Sequence, residues 1–240
     1  MRSEEQVETP RRRERLRTAT VAEIKRLAWI QVAEGGALGV SLRAIAREMG
    51  MTSSALYRYF ASYEQLLQEL VGDGFASLAD ALEAAEAELP DEMGAAGRWL
   101  HVAGAHRRWA LDHPTQYALI FGSPLASVTA QVKGEHNRGV AVLFRVMLAG
   151  LASGQLNPAA MPPLPPGLEG QLAEWQSHLG LPLPPSALSG CLFVWTQLHG
   201  AVSLELFGQL PALLVPADQL FEHHMRAALL TLGCPDESGD

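Results

Sequence analysis

Apolar residues along this chain recur at spacings of three and four, which is the period of amphipathic helices. The clearest case lies in residues 41–60, where two short apolar runs have this spacing. Their members are Leu42, Ile45, Ala46, Met49, Leu56 and Phe60. Ser41 and Thr52 precede the two runs as N-caps, and Gly50 separates them where a glycine can adopt a positive φ. The pattern predicts two short helices joined by a tight turn, a helix-turn-helix.

The same spacing predicts helices on both sides of this motif. They extend over about 17–34, 62–90, 95–111, 117–121, 130–151, 168–179, 186–210 and 217–232. Most of the prolines lie between residues 157 and 185, where they exclude a long helix and favour a rigid connecting loop over a proline-recognition ligand. The expected fold is all-α, with an N-terminal three-helix helix-turn-helix domain and a larger C-terminal helical domain.

Charge is distributed unevenly along the chain. Its formal net charge is −8, yet residues 1–63 hold eleven basic and seven acidic residues, against seven and nineteen in the remainder. A basic front end on an acidic body would direct DNA to the helix-turn-helix, although acidic helices also simply keep a body soluble. No apolar run reaches membrane-spanning length, and the acidic N-terminus fits no targeting peptide, so we expect a cytoplasmic protein without a membrane partner.

Small side chains begin the second helix of the motif, and longer ones follow. This order suits a helix whose first turn approaches base edges while later residues reach phosphates. The candidate DNA contacts are Ser41 and Thr52 to phosphates, Arg43, Ser53, Ser54 and Tyr57 in the groove, and Arg58 and Tyr59 on the backbone. An ordinary surface helix hairpin is the alternative, because this geometry also occurs in proteins that do not bind DNA.

A longer pattern resembles the TetR family of transcriptional regulators. It is Val-Ser-x-Arg-x-Ile-Ala followed by Gly-Met-Thr-x-x-x-Leu-Tyr-x-Tyr-Phe-x-Ser-x-Glu-x-Leu-Leu, from Val40 to Leu67. The motifs His-Pro-x-x-Tyr-x-Leu-x-Phe-Gly-x-Pro, from His113, and Trp-x-x-x-His-Gly-x-x-x-Leu-Glu, from Trp195, are similar to the subgroup with a Trp-His-Gly C-terminal domain. Tyr63, also a candidate backbone contact, stands where the family usually has a lysine, so a phosphate contact there would lack the charge of a cation.

The resemblance implies a homodimeric regulator, usually a repressor, that binds double-stranded palindromic operator DNA and responds to a small effector. The two C-terminal helices would form the dimer interface. The expected segments are a flexible basic arm over 1–15, a DNA-binding domain over 16–62, an effector-binding and dimerisation domain over 63–233, and a flexible tail over 234–240.

Aromatic and sulfur-containing side chains in the second domain are candidates for an apolar effector pocket. They are Trp99, Trp109, Tyr117, Phe121, Phe144, Cys191, Trp195 and His199. Such a pocket would suit a hydrophobic or aromatic molecule. The alternative is that these side chains only fill the core.

Patterns typical of enzymes and metal sites are absent from the sequence. It contains no Gly-x-Ser-x-Gly, P-loop, dinucleotide fingerprint or His-Glu-x-x-His. The adjacent His223 and His224 point to different faces of a helix, and the two cysteines, Cys191 and Cys234, show no pairing pattern. We therefore expect no enzyme, cofactor or metal. A helical ligand-binding dimer without specific DNA binding, or an α-helical enzyme of unrecognised type, remains the alternative.

Overall fold

A computed structural model describes residues 5–122, 133–179 and 183–234. The first four residues, the beginning of the helix expected at 130 and most of the expected tail lie outside this part. The described secondary structure is helical without strands. The helices are α1 (Glu5–Gly35), α2 (Leu42–Glu48), α3 (Ser53–Leu56), α4 (Tyr63–Ala87), α5 (Ala95–Asp112), α6 (Pro114–Phe121), α7 (Lys133–Ala152), α8 (Pro166–Leu179), α9 (Pro185–Leu206) and α10 (Asp218–Leu230). The all-α prediction is confirmed.

Helix α1 begins twelve residues before the start that apolar periodicity predicts, at Glu5 instead of Arg17. Residues 5–15, expected as a flexible arm, are therefore helical in the structure. Most of them are glutamate, glutamine or arginine, which favour helix on a solvated surface without an apolar stripe. The boundary between arm and domain stays a prediction.

The chain divides into two compact units, and the first contains α1, α2, α3, the beginning of α4, and α6. Its core joins the three helices of the motif to α4. The fully buried members include Ile24, Leu27, Ala28, Ile45, Leu56, Phe60, Leu66 and Leu67. Lys25 of α1 lies 2.9 Å from both Glu69 and Asp73 of α4, so an ion-pair network supplements apolar packing here. α6 approaches α4 closely, because a Cβ on Gly74 would lie 2.9 Å from Ile120.

The second unit contains the rest of α4, most of α7, and α5, α8, α9 and α10. Helix α9 is central, since it packs against α5, α8 and α10. Its inward face carries Leu188, Val194, Leu198 and Val202, all without solvent exposure. The proline-rich stretch holds the short helix α8, as the sequence predicts, with a 3₁₀ turn at Pro158–Ala160 before it.

Helix α9 is apolar over most of its length. With 22 residues it is long and apolar enough to cross a membrane, judged by length and composition alone. In the sequence no run of consecutive apolar residues is long enough to span a membrane. In α9, glycine, serine and threonine interrupt the apolar residues without making the helix polar. Core helices have the same composition, and the inward face of α9 is packed within its unit.

Candidate nucleic-acid interface and ligand cleft

Two side-chain caps and a glycine turn define the helix-turn-helix. The hydroxyl of Ser41 accepts the N–H of Ala44 at 3.3 Å, and that of Thr52 accepts the N–H of Ala55 at 3.2 Å. Gly50 has φ of 65°, which a glycine adopts without the Cβ penalty. The N–H of Met51 reaches the Ala46 carbonyl at 2.8 Å, so the turn ends α2 as a Schellman motif. The predicted caps and the positive φ are confirmed.

Helix α3 is shorter than the spacing of its apolar residues predicts. The α-helix ends at Leu56, and the N–H groups of Arg58 and Tyr59 bond to carbonyls three residues earlier, at 3.3 and 2.8 Å. A tightened last turn of this kind is common at helix C-termini. Phe60 nevertheless remains buried, so the turn keeps the inward anchor that the pattern required.

Most candidate DNA contacts lie at the surface. Exposed side chains are those of Ser41, Arg43, Thr52, Ser53, Ser54, Tyr57 and Arg58. The hydroxyl oxygens of Thr52 and Ser54 lie 3.0 Å apart, which links the N-cap to the first turn of α3. The arrangement presents hydroxyls, an amide-rich helix N-terminus and two arginines, which are groups suited to phosphates and guanine edges.

Tyr59 is half-buried and has a neighbour that sequence reasoning did not consider. The guanidinium carbon of Arg17 lies 5.4 Å from the centre of the Tyr59 ring, within the range of a cation–π contact. Arg17 is exposed on α1. Because the chain separation between them is long, no local pattern could have linked this arginine to the recognition segment.

Tyr63 has a hydrogen-bond partner within the protein. Its hydroxyl donates to the Ala37 carbonyl at 2.6 Å, across the connection between α1 and α2. Burial, with a smaller effect of the Glu64 charge, raises the pKa of Tyr63, so the hydroxyl stays protonated at neutral pH. A phosphate oxygen needs a hydrogen-bond donor, and the single hydroxyl proton of Tyr63 is already in use. A phosphate contact by Tyr63 would have to break this bond, and the DNA contact of Tyr63 stays a prediction.

A small cleft, with about 20 Å³ of free space, lies within the second unit. Its lining residues are Trp99 of α5, Val140, Leu143, Phe144 and Met147 of α7, and Cys191 and Trp195 of α9. The α7 members follow helical spacing, so one face of that helix forms a wall. None of the lining side chains is charged, and burial raises the pKa of the Cys191 thiol to about 12, so that group is neutral as well.

A cluster of three rings extends the cleft region from Trp195. The ring centres of Trp195 and His199 are 4.3 Å apart, and His106 of α5 lies 5.9 and 5.7 Å from them. Burial, with a smaller contribution from His199, lowers the pKa of His106 to about 3. His106 is thus neutral at physiological pH and adds no charge beside the cleft.

The neighbouring Arg107 is buried and ion-paired. Its guanidinium lies 2.7 Å from Glu205 of α9 and 2.8 Å from Asp218 of α10. The hydrogen bond to Glu205 is the largest cause that raises the pKa of Arg107, and the same arginine lowers the pKa of Asp218. This network ties α5 to the two C-terminal helices and leaves Arg107 bonded to protein carboxylates.

Family models match both regions. Residues 24–70 match the model described as bacterial regulatory proteins, tetR family, and residues 99–228 match the model of the tetracyclin repressor-like C-terminal domain. The chain belongs to the TetR family. The first match contains the helix-turn-helix and the second contains the cleft, so the family prediction from the sequence is confirmed, together with its class of function, DNA-binding transcriptional regulation.

Individual relatives of this TetR regulator agree. The HTH-type transcriptional regulator Rv1816 of Mycobacterium tuberculosis is 34% identical over 195 residues, which cover 78% of this chain and 81% of the relative. The crystal structure of the regulatory protein SCO4313 is 36% identical with a TM-score of 0.70, covering 90% of this chain and 98% of that one. A TetR family regulator from Rhodococcus RHA1 shares the fold at 18% identity, with a TM-score of 0.61 and coverage of 90% and 98%.

The structure brings together only part of the predicted pocket set of this TetR regulator. Trp99, Phe144, Cys191 and Trp195 line the cleft, and His199 lies against Trp195. Trp109 is elsewhere in the same unit, where its indole N–H donates to Ser77 at 3.0 Å.

Tyr117 and Phe121 belong to the first unit. Their rings lie 5.0 Å apart, and Phe121 also packs against Phe75 at 5.7 Å, so both fill the core beside α4. The lining residues that sequence reasoning missed are Val140, Leu143 and Met147. Their helical spacing in the sequence was a signal for a buried face, but it could not distinguish a cleft wall from ordinary core.

Proposed function

We propose that this TetR regulator binds a palindromic operator as a homodimer, through exposed residues of α2 and α3, under control of a small molecule bound in the cleft. TetR regulators bind operator DNA and act as dimers, which supports the general function. Repression and effector control are typical of the family. Binding to operator DNA would take place in the cytoplasm.

One observation carries the proposal about DNA contacts: the polar residues of α2 and α3 are exposed while the apolar residues between them are buried. We propose that Ser41 and Thr52 donate to phosphates, and that Arg43, Ser53, Ser54 and Tyr57 face the groove. Arg58 and Tyr59 would contact the backbone. Arg17 joins this set because it accompanies Tyr59 and can neutralise a phosphate.

Selection of bound sequences from random DNA tests this proposal and yields the half-site spacing. A gel-shift titration with the selected operator then compares wild type with Arg43→Ala. We expect a loss of about 1–3 kcal/mol in binding if Arg43 reads a guanine. Arg226→Ala is the matched control, because Arg226 lies on α10, far along the chain from the helix-turn-helix, and pairs with Glu222 at 2.8 Å.

The proposal is refuted if no sequence is enriched, or if Arg43→Ala and Arg226→Ala bind the operator equally well. Salt provides a second check, because binding through phosphate contacts should weaken by about 10³–10⁵ between about 50 and 200 mM salt for a protein with many such contacts. If the binding of DNA does not depend on salt concentration, a helical ligand-binding dimer that does not use its helix-turn-helix on DNA is favoured instead.

We propose that the dimer forms through the outward faces of α9 and α10. On α9 this face carries Gly200, Leu204 and, just after the helix, Phe207. Leu204 is 42% and Phe207 45% exposed, which is high for side chains of their size. A Cβ on Gly200 would meet nothing within 4 Å, so the glycine leaves room for a second helix to approach. Leu230 adds an exposed apolar residue on α10.

Light scattering after size exclusion tests this interface with Leu204→Glu. A carboxylate buried in a helix–helix contact without a partner costs several kcal/mol, so we expect a monomer. Leu168→Glu is the control, because Leu168 is equally exposed on α8 and lies outside the proposed interface. A Leu204→Glu protein that remains dimeric at the wild-type concentration would contradict the proposal.

A further inference from the structure

The cleft of the second unit has one hydrogen-bonding group that its surroundings leave unused. Trp99 lines the cleft and is 1% exposed. Its indole Nε1 has no hydrogen-bond partner within the described part of the chain. A buried N–H without a partner costs about 1–3 kcal/mol, so proteins seldom leave one without a reason. Another buried indole of this unit, that of Trp109, has its N–H bonded to Ser77.

The remaining wall of the cleft is apolar and uncharged. Leu143, Met147 and Cys191 are buried at its inner end, while Val140 and Phe144 are half-buried toward the surface. The inner end therefore excludes water, whereas the outer residues leave a route for a ligand. An ion placed here would lose its hydration without gaining an opposite charge.

Cations near the cleft are already paired with carboxylates. Arg145 of α7 follows Phe144 and bonds to Glu86, and Arg138 on the same helix bonds to Glu83 at 2.6 Å. Arg107 is held by Glu205 and Asp218. An acidic ligand would have to displace one of these carboxylates to find a positive partner.

We propose that the cleft binds a small uncharged molecule, largely apolar, with a hydrogen-bond acceptor that takes the indole N–H of Trp99. A ketone, ester or ether oxygen on an aromatic or aliphatic frame satisfies this description. The free space in the cleft is only about 20 Å³, so the half-buried side chains of Val140 and Phe144 must move to admit such a frame. The proposal rests on the proposed control by a small molecule and specifies its chemical class.

Four probes of similar shape separate the contributions of charge and hydrogen bonding. Acetophenone is neutral and carries an acceptor, α-methylstyrene replaces the carbonyl oxygen with a methylene, benzoate is an anion and benzamidinium is a cation. Ligand-detected NMR titrations of the full chain measure their affinities. We expect acetophenone to bind about tenfold more tightly than α-methylstyrene, the effect of one hydrogen bond to a buried donor. The two ions should bind about a hundredfold more weakly than acetophenone, or not detectably.

Trp99→Phe removes the donor and keeps an aromatic wall. This variant should bind acetophenone and α-methylstyrene equally, while Trp175→Phe, in which an exposed tryptophan of α8 is changed, should keep the wild-type preference. Val140→Phe, at the half-buried end of the cleft, should weaken both neutral probes alike. If Trp99→Phe does not fold by circular dichroism, the wild-type probe series and Val140→Phe decide.

Several results would overturn the proposal. For wild type, these are no binding of acetophenone up to its solubility limit, equal affinity for acetophenone and α-methylstyrene, or an ion that binds as tightly as acetophenone. For the variants, they are a Trp99→Phe protein that still prefers acetophenone to α-methylstyrene, or a Val140→Phe protein that binds both neutral probes as tightly as wild type. Gel-shift titration without a probe reports separately on the proposed function. Loss of operator binding there would refute the regulator proposal and leave the ligand class of the cleft intact.

Discussion

Tyr63 offers the most direct test of how the sequence and the structure differ. The sequence places it among the backbone contacts to DNA, whereas in the structure its hydroxyl donates to Ala37 at 2.6 Å. Tyr63→Phe removes only this oxygen. The variant should therefore destabilise the free protein, because the bond joins the start of α4 to the connection that leads into α2.

The expected magnitude follows from burial. A hydrogen bond within a protein contributes about 0.5–1.5 kcal/mol net, since water replaces it in the unfolded chain. Tyr63 and Ala37 are both half-buried, so water can reach the carbonyl in the variant and reduce the penalty for leaving it unpaired. We expect a loss of about 1 kcal/mol, which corresponds to a fall in Tm of about 2–4 °C for a chain of this size.

Thermal unfolding of the DNA-free protein measures the change, and gel-shift titration measures operator binding in parallel. Tyr57→Phe is the matched control. Tyr57 is exposed on the recognition segment, so loss of its hydroxyl should leave Tm unchanged and weaken operator binding by about 0.5–1.5 kcal/mol.

Tyr63→Phe should thus lower Tm without weakening operator binding, and Tyr57→Phe should weaken operator binding without lowering Tm. If Tyr63→Phe unfolds at the wild-type temperature but binds the operator several-fold more weakly, the hydroxyl contacts DNA and the structural argument is wrong. A fall in Tm for Tyr57→Phe equal to that of Tyr63→Phe would also refute it, because the effect would then not be specific to the Ala37 bond.

Three further predictions concern single contacts. Gly50→Ala forces a side chain into φ of 65°, and should lower the free energy of unfolding by about 1–2 kcal/mol in denaturant titrations; an unchanged value would show that the turn relaxes. Arg107→Met leaves the nearly buried Glu205 unpaired and should cost about 3–5 kcal/mol, whereas Arg107→Met with Glu205→Met should recover most of it; equal losses would contradict the ion-pair argument. In the unfolded chain His106 takes up a proton below its ordinary pKa of 6.5, whereas burial lowers its pKa in the folded protein to about 3. The free energy of unfolding therefore decreases as the pH falls from 6.5 toward 3. His106→Gln should reduce the slope of unfolding free energy against pH between pH 6 and 4 by up to about 1.4 kcal/mol per unit, and an identical slope would place the proton elsewhere.

Features that depend on near neighbours in the chain could be predicted from the sequence. The caps at Ser41 and Thr52 and the positive φ of Gly50 are in the structure as predicted. The reason is physical: a cap or a turn is determined by backbone angles and hydrogen bonds within a few residues. Helical periodicity in the same way determined the all-α class and the order of the helices.

The positions at which helices begin and end were harder to predict from the sequence. Residues 5–15 have no apolar stripe and yet continue α1, because charged residues favour helix without a buried face. Helix α3 ends at Leu56 although Phe60 keeps the spacing, because the last turn tightens. Both differences arise where the hydrophobic pattern carries no information about the backbone hydrogen bonds.

Contacts between distant residues were decided only by the tertiary structure. Tyr63 and Ala37 are 26 positions apart, and Arg107 and Glu205 are 98 apart, so no spacing in the sequence connects them. The sequence by itself identified the helix-turn-helix, the family and the types of residue suited to a cleft. Which aromatics line the cleft, and that Tyr63 bonds to the protein's own backbone, depended on how the helices pack, because packing alone brings together side chains that the chain keeps far apart.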